Sequence, residues 1–106
     1  MRDKALPLTE TVYYILLATL HPTHGYAIMQ KIEALSHGEV RMAAGTLYGA
    51  IDSLQKQNLI VPVASEDPRR KVYQITTAGI ALLKQDTARM QHMVTTTTQH
   101  LKELGL

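Results

Sequence analysis

Leu59-Ile60-Val61-Pro62-Val63 is a β-branched run, and Lys71-Val72-Tyr73-Gln74-Ile75 alternates apolar and polar residues. The second pattern has the period of a half-buried strand. Between them, Ser65 to Arg70 is turn-like and contains Pro68. Two strands joined by a short polar loop read as a β-hairpin. What stands before and after this hairpin decides the fold.

Upstream, Leu47, Ile51 and Leu54 recur at helical spacing, which predicts a helix from Ala43 to Gln57 that Asn58 stops. Val40-Arg41-Met42 alternates and predicts a very short strand. A further helix is expected from about His24 to Leu35, with Ile28, Ile32 and Leu35 inward. Ser36-His37-Gly38 closes it, with Gly38 suited to the left-handed conformation of a helix end. The first helix spans Thr9 to Leu20, capped by Thr9, with Val12, Ile15, Leu16 and Leu20 on one stripe. Pro22 disfavours helix at His21. Downstream, Thr76 caps a last helix running to about Leu104. The expected fold is mainly α with a small β-hairpin: a winged helix-turn-helix over residues 1–76 and a C-terminal dimerisation helix over 77–106, packed as one structural unit.

The 106 residues allow one domain, and 45% hydrophobic against 19% charged residues is a globular balance. No apolar run approaches a bilayer's thickness, so no membrane partner is expected. Met1-Arg2-Asp3-Lys4 is not followed by a signal-type apolar stretch, and a cytoplasmic location is the expectation. The absence of cysteine removes disulfides, thiolate metal sites and thiol nucleophiles. The five histidines lie at no metal-ligand spacing, and there is neither a Gly-rich phosphate loop nor a nucleophile elbow. No catalytic residue, metal or cofactor is therefore expected, and the chain does not read as an enzyme.

Eleven Lys and Arg against nine Asp and Glu leave a net charge of only +2, so clustering matters more than the total. Arg69-Arg70-Lys71 is the only run of three basic residues, and it lies at the loop-to-strand junction of the hairpin. A charged turn protecting a sheet edge would look the same in isolation. After a helix-turn-helix pattern, a wing gripping double-stranded DNA is the stronger reading. The second helix of such a pair enters the major groove. On Ala43–Gln57, Thr46, Tyr48 and Ser53 offer hydroxyls, and the small Ala44, Gly45 and Gly49 let the backbone come close. Asp52 opposes phosphate contact and is expected to face away or orient a neighbour. A winged helix used for protein contact, without DNA readout, is the alternative.

The segments Leu8-Thr9-Glu10-Thr11-Val12-Tyr13-Tyr14-Ile15-Leu16, His24-Gly25-Tyr26, Gly45-Thr46-Leu47-Tyr48 and Arg70-Lys71-Val72-Tyr73-Gln74-Ile75-Thr76 occur in this order. Together they resemble the PadR family of bacterial transcriptional regulators, from about Leu8 to Leu83. The resemblance implies a dimeric winged-helix repressor that senses a small molecule or stress, of the subfamily with a single C-terminal dimerisation helix. It places Thr46 and Tyr48 toward DNA, Tyr26 at a backbone phosphate, and Arg69, Arg70 and Lys71 in the basic wing. Two departures stand out: Ala44 where many relatives carry proline, and Val72 where a second wing tyrosine would fall.

Leu83, Thr87, Met90, Val94, Thr97, Leu101 and Leu104 alternate spacings of four and three, as a coiled-coil seam does. A homodimer is expected through this seam; the alternative is that the seam folds back on Tyr14, Leu17 and Ala18 of its own first helix, a face that a partner's last helix could also cover. Two winged units would then read half-sites of an inverted repeat about 10–10.5 base pairs apart. A small-molecule effector could use a pliable pocket of Met90, Met93, Tyr14 and Leu17, although filling of the dimer core accounts better for the same side chains.

Overall fold

Thr9 starts the first helix as its chemistry requires: its hydroxyl accepts the Val12 N–H at 3.1 Å. That is the first feature of a computed structural model that describes residues 2–106, so Met1 of the segment read against export lies outside the described residues. Helix α1 covers Glu10–Ala18. It ends where the buried Thr19 hydroxyl turns back to the carbonyls of Ile15 and Leu16 at 2.9 and 3.1 Å. Ending there rather than at Leu20 leaves Leu20 39% exposed, off the expected inward stripe.

Strand β1 is Thr23–His24, helix α2 Gly25–Leu35 and helix α3 Ala44–Lys56. Strands β2 (Ile60–Val63) and β3 (Val72–Ile75) form the expected hairpin, and α4 runs over Thr77–Glu103. The sheet is antiparallel with order β1-β3-β2. In register, Thr23 faces Tyr73 and His24 faces Val72, while Val63 faces Val72 from the other edge.

Two further expectations are corrected. Val40-Arg41-Met42 is not a strand. The Val40 N–H donates to the Ser36 hydroxyl at 2.9 Å, a loop contact that takes the donor a ladder would need. The third strand is instead the two-residue β1, and it exists because β3 offers it an edge. Leu35 is 45% exposed rather than inward. Both His37 and Gly38 adopt positive φ (53° and 78°) in closing α2, and Asn58 does so (60°) after α3.

The core is aliphatic, as a chain without Phe or Trp demands. Ile15, Leu16, Ile28, Ile32, Leu47, Ile51, Leu54 and Ile60 are all buried, joined by Leu82 and Leu83 of α4. Gly79 lets α4 sit directly on the sheet: a Cβ there would press on the Leu59 carbonyl and come within 2.6 Å of Ile75 Cγ1. Thr76 fastens the same corner, donating to the Asn58 carbonyl at 2.8 Å and accepting the Gly79 N–H at 3.0 Å. Further along, buried Asp86 is held by Arg89 at 2.6 Å. The Thr87 hydroxyl donates to the Leu83 carbonyl (2.7 Å), so Tyr13 of α1 donates its phenol to Thr87 (2.9 Å). Beyond Met90 every residue of α4 is exposed. At about 1.5 Å per residue the helix is some 40 Å long, which accounts for the 58 × 32 × 21 Å outline.

Three helices followed by an antiparallel hairpin, with α2 and α3 consecutive and packed, make a winged helix-turn-helix.

Candidate nucleic-acid interface

Helices α1, α2 and α4 each have a side-chain cap, from Thr9, His24 and Thr76. Helix α3 has none, because Ala43 stands at its N-cap. Alanine there forgoes about 1 kcal/mol relative to Ser or Asp. Its opening residues Ala43, Ala44, Gly45 and Thr46 are all exposed, and a Cβ at Gly45 or Gly49 would meet nothing within 4 Å. The first-turn N–H groups thus face solvent on an open backbone, as anion contact requires. One turn on, Leu47 points into the core and fixes the rotation of the helix, which turns Thr46 and Tyr48 outward.

Tyr48 is 49% exposed, and its ring lies over the first turn of α2. It fits because position 25 is glycine: a Cβ there would come within 2.7 Å of Tyr48 Cζ. Nearby, burial, and secondarily Tyr48, raises the pKa of Tyr73 above the ordinary phenol value of 10.0. Tyr26, on the second residue of α2, is 63% exposed.

The wing tip is a built turn. Ser65 donates its hydroxyl to the Asp67 carbonyl (2.9 Å) and accepts the Asp67 N–H (3.2 Å). The Asp67 carboxylate accepts the Arg69 N–H at 2.9 Å, and its carbonyl accepts the Arg70 N–H at 3.0 Å. Arg69 Nε lies 3.4 Å from the same carboxylate, so its charge is partly answered. Among the described residues Arg70 and Lys71 form no ion pair. Asp52, on α3, is answered by Lys56 at 3.0 Å, consistent with its expected role beside a neighbour.

Tyr26, Tyr48, Arg69, Arg70 and Lys71 all border one depression, together with His24 and Gly25. Five side chains singled out in the sequence are therefore brought together; Ala44, Thr46 and Gly49 lie on the exposed side of α3 and do not border it. His24 was missed as part of this cluster. It reads in sequence as a residue near a helix start, and histidine is not among the preferred caps, so only the fold reveals its position.

The residues assigned to the seam divide in two. Leu83 is buried in its own chain's core, Thr87 bonds Tyr13, and Met90 is half-buried. Val94 (59%), Leu101 (43%) and Leu104 (74%) are exposed, as is Thr97. Tyr14 is half-buried, its ring edge-on to Tyr13 at 5.9 Å. Leu17 borders an apolar groove between α1 and α2 with Ala18, Leu20, Ala34 and Leu35. Met93 accepts from Arg89 (3.5 Å) on the surface of α4.

A helix pair with an open recognition helix, flanked by a basic wing on the same side, defines the winged-helix class of regulators. Within that class, residues 14–85 match the transcriptional regulator PadR-like family, and the chain belongs to it. An uncharacterised 37.1 kDa protein of transposon TN4556 from Streptomyces fradiae is 36% identical over 72 residues, 68% of this chain and 20% of its own length. The transcriptional regulator YqjI of Escherichia coli is 29% identical over 69 residues, 65% of this chain and 33% of its own. The chain thus spans between a fifth and a third of the length of these curated relatives. A transcriptional regulator from Clostridium thermocellum has the same fold, with a TM-score of 0.72 and 24% identity, covering 93% of this chain and 97% of that one. Among the described residues, no helix is long and apolar enough to cross a membrane.

Proposed function

We propose that this chain binds double-stranded DNA sequence-specifically as a homodimer and acts as a ligand- or stress-responsive repressor at an inverted-repeat operator. The observation that carries the DNA reading is the shared depression: Tyr26 from α2, Tyr48 from α3 and Arg69, Arg70 and Lys71 from the wing converge there. The uncapped start of α3 lies on the same exposed helix. Phosphate contacts from the wing and α2 would set the register, leaving Thr46 and the exposed small residues of α3 against base edges. YqjI is itself named a transcriptional regulator.

Two features support the dimer. Among the described residues the outer turns of α4 are exposed throughout, and an isolated helix carrying four consecutive threonines is marginal in water. The exposed Val94, Leu101 and Leu104 need an apolar partner, and the groove beside Leu17 is one. In this reading residues 77–106 both finish the winged core and join the two copies.

Gel shift against the DNA upstream of the protein's own gene, at two salt concentrations, tests the proposal. A steep fall in affinity with salt and retention of binding over unrelated competitor DNA are expected. Salt-independent binding, or none, would instead favour a protein-contact role for the wing.

A further inference from the structure

We infer that His24 is a ligand of the DNA backbone, its Nε2–H and the Arg70 guanidinium donating together to one phosphate oxygen; this rests on the DNA-binding reading above. A neutral imidazole has one nitrogen that donates and one that accepts. Nδ1 of His24 accepts the Ala27 N–H at 3.4 Å and so caps α2, which puts the ring proton on Nε2. Yet Nε2 stands 3.3 Å from Arg70 Nη1. Arginine only donates. Two donors therefore meet at hydrogen-bonding distance, and neither satisfies the other.

Moving the proton does not help. With it on Nδ1, Nε2 accepts from Arg70 but the cap is lost, and an N–H faces the Ala27 N–H. An imidazolium accepts from neither. What serves every group at once is an outside acceptor with several lone pairs, set between Nε2 and the guanidinium. The depression around this point selects an anion: Arg69, Arg70 and Lys71 border it and no acidic side chain does. The Tyr48 ring lies against its floor at Gly25. His24 and Arg70 come from opposite sides of the β1–β3 pairing, so one phosphate held here is grasped from the helix pair and the wing at once.

A series at position 24 separates this role from capping alone. Asn and Asp cap helices about equally well, and Ala does not. For capping alone, His24→Asn keeps DNA affinity, His24→Ala loses a little, and His24→Asp loses only what its charge beside Arg70 costs. For a phosphate ligand, His24→Asn keeps the melting temperature yet binds a random-sequence duplex at low salt about tenfold more weakly. His24→Asp, adding charge repulsion, falls further still despite its good cap. The salt slope stays unchanged in His24→Asn, since a neutral ring displaces no counterion, whereas Arg70→Ala lowers it by about 1. Wild-type affinity in His24→Asn, or losses that follow melting temperature across the series, would overturn the inference while the DNA reading stood. A wild-type protein that binds no duplex at all would overturn both.

Discussion

The face carrying Tyr48 and the wing is exposed and polar, whereas the outer half of α4 is exposed and carries Val94, Leu101 and Leu104. On the first face the backbone is fixed several times over. Leu47 sets the rotation of α3, β3 is paired on both edges, and Ser65 and Asp67 shape the wing turn. The polar groups there can be served by water, which the proposed DNA contact would replace. On the second, the helix is exposed all round among the described residues, and its apolar groups gain nothing from water. A region can thus be open because it is finished and awaiting a ligand, or because half of its core belongs to another molecule.

The sharpest way to separate the two is to neutralise the wing. Replacing Arg69, Arg70 and Lys71 together by alanine is expected to lower the salt slope of DNA binding by about 3 and affinity by about two to three orders of magnitude at low salt. Melting should hardly move, since all three side chains are exposed. Fluorescence anisotropy and thermal denaturation read both quantities. Next in size, Leu101→Glu with Leu104→Glu removes two apolar contacts worth about 1.5–3 kcal/mol each if a partner buries them. Sedimentation should then show dimer dissociation at least a hundredfold easier, with the winged body still folded.

Two glycines sharpen the contrast within the body. Gly79→Ala drives a methyl group against backbone at Leu59 and against Ile75, and should cost about 1–3 kcal/mol of stability in urea denaturation. Gly25→Ala meets the far end of a tyrosine ring, which can swing aside. It should leave stability within about 1 kcal/mol and weaken DNA binding severalfold by displacing Tyr48.

Helix starts at Thr9 and Thr76, the core stripe of α3 and the hairpin were legible because each rests on local chemistry or on a period several residues long. Strand β1 was not. Two residues carry no period, and Thr23–His24 is extended because β3 offers it an edge. Val40-Arg41-Met42 had the better pattern and no such neighbour. Leu20 and Leu35 have the right spacing but sit past or at the last turn of their helices, where the inward stripe has already run out. The basic wing and Tyr48 could be read from residue type and order. The position of His24 beside Arg70 could not, since the two are 46 positions apart.

The pairing of β3 with β1 on one side and β2 on the other leaves the wing no hinge at its base. A base held on both edges favours movement of the wing together with the helices behind it. In the proposed dimer, a signal that loosened the protein from DNA would have to alter how far apart, or at what angle, two such pieces are held. The natural lever for such an adjustment would be α4, which is rooted beneath the sheet at Gly79 and extends in a single unbroken stroke to Glu103.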